Sequence, residues 1–202
     1  MKNYELARVA VDPVIFTIAD SKLKVLLLKR EKDPFKGLLE LPGGLCAPDE
    51  TAGETLKRKL KQMLGVNDVY LEQFFTFTRP KRDPRSRTVS IGFIALINKE
   101  RIQGDNWVAV SKTLQMAFDH KEILDTAIKH LKEHVDSLAK QFMPKEFPLN
   151  RIQKVFEIIE GTSYDNRNFR KRIISSGLVA ETGKMETNVS HRPAKLYRFA
   201  RI

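Results

Sequence analysis

Cysteine is almost absent from this 202-residue chain, which holds Cys46 and no other. A lone cysteine excludes an intrachain disulfide and any metal site built from several thiolates, and it fits a reducing compartment. Long apolar runs are missing as well. The longest, at 91–97, covers about seven residues, against the roughly 20 that a membrane-spanning helix requires. Residues 1–10 contain no apolar core of a secretory signal, so the chain is expected to be cytoplasmic, with no membrane partner. Acidic charge is in deficit: 25 Asp and Glu stand against 36 Lys and Arg, for a net charge of +11. What is present is a core. A hydrophobic fraction of 42% with 12 Phe excludes general disorder, and the length allows one large domain or two smaller ones.

The positive balance suits a polyanionic partner such as nucleic acid. Its distribution is uneven. Residues 147–202 hold eleven basic and five acidic side chains, so the last quarter of the chain carries more than half of the excess.

Apolar and β-branched runs at 11–19 and 24–29, separated by Asp20-Ser21-Lys22, predict a hairpin. A short strand at 38–41 runs into Pro42-Gly43-Gly44. Thr51 followed by Glu54 forms a capping-box pattern, after which Ala52, Leu56, Leu60 and Leu64 mark one helix face that ends at Gly65. Further strands are expected at 68–78, 87–97 and 107–110, and a long helix at 120–138 with the stripe Ile123, Ala127, Ile128, Leu131, Val135 and Leu138. Two prolines and no periodicity at 141–148 read as a linker. A second capping box, Asn150 with Gln153, opens a helix to Gly161. Asp165 caps another over 166–175, and strand-like segments follow at 178–181 and 195–200. The expected organisation is therefore a mixed α/β domain over 1–140, a linker at 141–148, and a small winged helix-turn-helix domain over 149–202.

From Gly44 the chain reads GLCAPDETAGETLKRKLKQMLGV. This resembles the signature of the Nudix hydrolases, with Gly44, Glu50, Arg58, Leu60, Gly65 and Val66 in register. The resemblance implies an α/β/α sandwich. Where that family places three metal-binding glutamates, this chain has Lys59, Gln62 and Met63. Offsets of three and four residues put these positions on one helix face. Magnesium takes hard oxygen ligands, whereas an ammonium repels it and a thioether does not suit it. Water activation and neutralisation of a leaving diphosphate both need the metal. Glu50 and Arg58 do not rebuild the cluster, so no catalytic and no metal-binding residue is assigned, and the pocket is read as one that binds without cleaving.

Candidates for holding a phosphorylated ligand are Gly43 and Gly44, which allow close backbone approach, and the cations Arg58, Arg79, Arg82, Arg85 and Arg87. Guanidinium forks suit phosphate, although a run of charge at 79–87 is also what a solvated loop looks like. His130 and His134 stand i, i+4 apart but lie among charged neighbours with no third ligand, so a zinc site is not expected. Cys46 has no neighbour in sequence that would activate its thiol.

In DNRNFRKRII at 165–174, Phe169, Ile173 and Ile174 can face a core while Arg167, Arg170 and Lys171 share an outward stripe. Cations on a docked short helix serve phosphate contacts and groove readout. The candidate DNA-binding residues are Asn166, Arg167, Arg170, Lys171 and Arg172, with Arg192, Lys195 and Arg198 in a wing that also holds His191 and Tyr197. An exposed basic face of an oligomerisation domain has the same appearance. A degenerate Nudix signature, the segment Phe118-Asp119-His120 and a C-terminal RNFRKR helix together resemble the Nudix-related transcriptional regulators, NrtR. The resemblance spans about residues 10–200. It implies a bacterial homodimer that binds palindromic operator DNA, responds to ADP-ribose or a related nucleoside diphosphate sugar, and requires no cofactor. Members of that family repress genes of NAD metabolism, and relatives control sugar catabolism. An active hydrolase of ADP-ribose or a similar nucleoside diphosphate derivative is the alternative.

Overall fold

Residues 6–65, 69–97, 106–190 and 192–200 are described in a computed structural model of the chain. The chain divides into two units, 1–130 and 131–202, with the boundary inside a helix. Val66 of the signature and His191 of the wing lie outside the described residues.

The first unit is built on β1 (Arg8–Ala19), which is buried continuously from Ala10 to Thr17. A strand buried on both faces must be covered on both. It pairs antiparallel with β2 (Lys22–Leu26) and parallel with β7 (Thr88–Leu96). The turn into β2 uses Asp20 and Ser21, with φ of 52° and 55°. Two consecutive positive φ values are what a twisted two-residue hairpin requires. With β6 (Tyr70–Phe77) and β8 (Trp107–Ala109) the sheet order is β6-β7-β1-β2-β8, and β5 (Gly44–Leu45) adds to β1. A separate two-stranded ladder joins β3 (Leu28–Lys29) to β4 (Leu39–Glu40).

One face of the sheet packs on α1 (Ala52–Leu64), where Leu56 and Leu60 meet Ile15, Leu26, Ala95, Ile97 and Trp107. The expected capping box is formed: Glu54 N–H donates to Thr51 Oγ1 and Thr51 N–H donates to the Glu54 carboxylate. Gly65 closes the helix at φ 67°. On the other side lies α2 (His120–Glu133), with Ile123, Leu124 and Ala127 wholly buried. His130 pairs with Glu72 at 2.8 Å and stacks near Phe74.

The second unit contains α3 (Val135–Leu138), a 3-10 turn (Ala139–Phe142), β9 (Phe147–Pro148), α4 (Leu149–Glu160), α5 (Asn166–Ser175), β10 (Val179–Met185) and β11 (Lys195–Phe199). Its three-stranded sheet runs β10-β11-β9, and its core gathers Phe147, Ile152, Phe156, Phe169, Ile173 and Tyr197. This is a winged helix.

Three local expectations are corrected. The helix expected over 120–138 breaks at His134 (φ −115°, ψ 24°), whose carbonyl caps the following turn by accepting from Ser137 and Leu138 N–H. The segment 141–148 is not a free linker throughout, because Phe147 is fully buried and pairs with Tyr197. The capping box at Asn150 does not form: α4 starts two residues earlier than that cap would set it, with Pro148 in the cap position, and Gln153 is drawn elsewhere. Its amide donates to Tyr164 O and Asn166 Oδ1, bracing the turn between α4 and α5. Asp165 does cap α5, accepting from Asn168 N–H. Among the described residues no helix is long and apolar enough to cross a membrane.

Candidate anion cavity and nucleic-acid interface

The first unit holds a cavity of about 260 Å³ where β1, β4, β5, α1, the 79–87 loop and the start of α2 converge. Its floor is a buried charged cluster. Asp12, a single acid inside an apolar strand, accepts from Ser90 Oγ at 2.5 Å and from Arg82 Nη2 at 3.2 Å. Arg82 also grips Asp119 through two hydrogen bonds of 2.7 and 2.6 Å. Burial alone would lower the Arg82 pKa, but Asp119 and Asp12 outweigh it and the guanidinium is held more firmly protonated than usual. His120 Nδ1 accepts from Leu41 N–H at 2.9 Å, and Nε2 faces Asp12 Oδ1 at 3.8 Å. With Nδ1 acting as acceptor, the neutral ring carries its proton on Nε2.

The glycines are explained by close approach. A Cβ on Gly43 would stand 2.0 Å from Asp12 Oδ1, and one on Gly44 would stand 2.6 Å from Lys59 Cε and Nζ. The rim carries Phe118, at φ 54°, with Arg30 and Arg85 guanidinium groups over its ring at 4.7 and 5.1 Å. Such stacking holds both forks at the cavity mouth.

Of the residues expected to hold a ligand, Gly43, Gly44, Arg82 and Arg85 line this cavity. Arg58, Arg79 and Arg87 do not. Arg58 closes a bidentate pair with Glu50 at 2.5 and 2.6 Å, pinning the loop before α1 to the helix. Arg58 and then Thr55 hold the Glu50 carboxyl at about 2, well below its ordinary 4.5. Arg79 pairs with Glu122, and Arg87 donates to the Thr78 and Arg79 carbonyls. Their positions in the basic loop were legible, but their partners were not. Asp12, Arg30, Phe118 and His120 line the cavity without having been singled out as ligand-binding. Asp12 had a signal, since one carboxylate in an otherwise apolar strand must be compensated.

Lys59 and Met63 also line the cavity, while Gln62 is exposed outside it. An ammonium, an amide and a thioether are not a magnesium donor set. The residues present do not fit the metal of a Nudix hydrolase.

In the second unit, α5 is anchored by Phe169 and Ile173, each 2% exposed. Arg167, Arg170 and Lys171 are exposed on its outer side. Arg170, Asn166, Lys195 and Tyr197 share a depression of about 270 Å³, so one wing residue meets the helix. Lys195 pairs with Glu181 at 2.9 Å, which together with the Glu181 charge raises its pKa. Two expected DNA contacts are placed differently. Arg172 sits over the rings of Phe156, Tyr164 and Phe169 at 5.5, 4.9 and 5.4 Å, which ties α5 to α4. Arg198 lines a groove with Lys140 and Lys145, away from Arg170, because Lys195 and Arg198 fall on opposite strand faces. Arg192 is exposed.

A family model of the NUDIX domain matches residues 8–138, and one of the NrtR DNA-binding winged helix domain matches residues 139–199. The "ADPR responsive transcriptional repressor NtrR" of Acinetobacter baylyi is 35% identical over 98% of this chain and 84% of its own length. The chain belongs to the NrtR family. An NrtR of Shewanella oneidensis, solved with a 27mer DNA, matches with a TM-score of 0.78 and 31% identity over 95% of this chain and 93% of that one. An ADP-ribose pyrophosphatase of Methanocaldococcus jannaschii is 34% identical over 61% of this chain and 76% of its own length. The NrtR architecture thus joins a domain shared with a hydrolase to a winged helix shared with a DNA-bound regulator.

Proposed function

We propose that the chain is an ADP-ribose-responsive transcriptional repressor that does not hydrolyse its effector. One observation carries the reading: a helix that turns Arg167, Arg170 and Lys171 outward, docked through Phe169 and Ile173, accompanies a Nudix cavity lined by Lys59 in place of a metal-binding carboxylate. The relatives support the ligand, since a repressor and a pyrophosphatase that share this domain are both named for ADP-ribose. Operator DNA is the partner of α5, with Arg167, Arg170, Lys171 and Lys195 as contacts and a homodimer reading a palindrome. Genes of NAD metabolism are the first targets to test.

Effector binding lowers DNA affinity by the difference in its affinity for the two states. A ten- to hundredfold release needs about 1.4–2.8 kcal/mol of coupling, an ordinary allosteric magnitude. The decisive experiment is an electrophoretic shift of the chain on its own upstream DNA, with and without ADP-ribose. A shift that ADP-ribose reverses supports the reading. A chain that ignores this DNA, or that releases AMP from ADP-ribose with magnesium at enzyme turnover, refutes it in favour of the hydrolase.

A further inference from the structure

Four cations line the cavity of the first unit, and three of them already face carboxylates. Arg82 is shared between Asp12 and Asp119. Arg85 chelates Asp83 through Nε at 2.9 Å and Nη2 at 2.7 Å. Arg30 donates to Glu40 at 2.7 Å. Lys59 is the exception: no carboxylate among the described residues pairs with it. Counting Asp12, Glu40, Asp83 and Asp119 against the three arginines, the cluster without Lys59 is net negative and would repel an anion. Lys59 brings it to neutrality.

We propose that Lys59 is the phosphate-binding cation of this cavity, holding the diphosphate of the ligand without a metal. This rests on the effector reading above. The residue that displaces a metal-ligating glutamate then supplies in its own side chain the positive charge the ion would bring. Its place supports the role, because the ammonium lies within reach of Gly44, where a Cβ would stand only 2.6 Å away. Absence of a side chain at Gly44 leaves the ammonium room beside the loop that a diphosphate would approach. The side chain is half-buried, so its charge is screened less than that of a surface lysine. A point charge on a flexible stem binds phosphate well. The arginines, by contrast, must first leave their carboxylates. The lining cation with no such exchange to make is Lys59.

The test is calorimetric titration of the full chain with ADP-ribose and, separately, with inorganic pyrophosphate, each in excess EDTA and in magnesium. Wild type is expected to bind both anions equally well with and without magnesium. Lys59→Gln should weaken both by about ten- to a hundredfold, the range for loss of a charged hydrogen bond, with an unchanged melting temperature. Lys59→Arg should restore most of the affinity, and the salt dependence of binding should flatten in the Gln variant alone. Undiminished affinity in a folded Lys59→Gln variant, or wild-type binding that EDTA abolishes, overturns the inference and leaves the repressor reading intact. Pyrophosphate binding that depends on Lys59, without ADP-ribose binding, upholds Lys59 and overturns the effector reading. Binding of neither anion overturns both.

Discussion

The Arg82 guanidinium holds the Asp119 carboxylate in a two-pronged grip, and both side chains are only 4% exposed. That pair ties the 79–87 loop to the start of α2, and through Asp12 to the central strand. Removing one member of a buried pair leaves the other charge uncompensated, which typically costs about 3–5 kcal/mol. Arg82→Ala is therefore expected to lower the melting temperature by on the order of 10 °C for a chain of this size. Differential scanning calorimetry checks this. A variant that melts like wild type yet loses ADP-ribose would return Arg82 to the role of a ligand contact.

The Glu50–Arg58 pair makes a pH prediction of definite sign. Glu50 titrates at about 2 in the folded chain against an ordinary 4.5. Its contribution to stability is complete above 4.5 and disappears as the pH falls from there towards 2. Glu50→Gln should accordingly be less stable than wild type at pH 7. The gap between the two melting temperatures should narrow through that acid window. A gap that stays constant across it would show that the pair contributes through packing rather than charge.

Much of this architecture could be read from the sequence, and the failures have physical causes. The cap of α1 was legible because Thr51 and Glu54 act within one turn, and Gly65 because a left-handed terminus favours glycine. The winged helix was legible because Phe169 and Ile173 repeat at helical spacing, although Ile174, expected to face the core with them, is 44% exposed. Gln153 was misread because its amide bonds Tyr164 and Asn166, beyond the turn that a capping pattern considers. Phe147 was misread because a two-residue strand has no periodicity, and only pairing with β11 makes it one. In the basic loop, four arginines look alike in sequence. The carboxylates that engage three of them come partly from distant positions such as Asp12, Asp119 and Glu122, or from Asp83 inside the loop itself, and Arg87 turns to backbone carbonyls instead. Spacing cannot reveal such assignments.

Arg172 separates folding from DNA binding within a single helix. Its guanidinium lies over three aromatic rings, contacts worth about 0.5–2 kcal/mol. Arg172→Ala should destabilise the winged helix by that order, whereas Arg170→Ala, at an exposed position, should stay within about 0.5 kcal/mol. Arg172→Lys should recover little, since an ammonium does not stack as a planar guanidinium does. Urea unfolding of the three variants checks the ranking. Equal stability of Arg172→Ala and wild type would make Arg172 available to DNA after all.

The wing offers a sharper test, because two cations three residues apart are given opposite fates by strand geometry. Lys195 shares a depression with Arg170 and Asn166 of α5, while Arg198 opens into a groove with Lys140 and Lys145. Alternation along β11 enforces this: Tyr197 is buried on the Lys195 side, so Arg198 points away. If α5 enters the groove of DNA, the backbone beside it passes Lys195. Lys195→Ala should then weaken binding to all sequences alike and reduce the salt slope by about one unit per contact, acting twice in the proposed dimer. Arg198→Ala should leave both affinity and slope unchanged. The Glu181 pairing sets a second expectation, since Glu181→Gln frees Lys195 from its carboxylate and should strengthen DNA binding modestly. Fluorescence anisotropy on operator DNA across a salt series measures all three variants. Loss of binding in Arg198→Ala with none in Lys195→Ala would place the opposite face of the wing on the DNA and remove Arg170 from the interface with it.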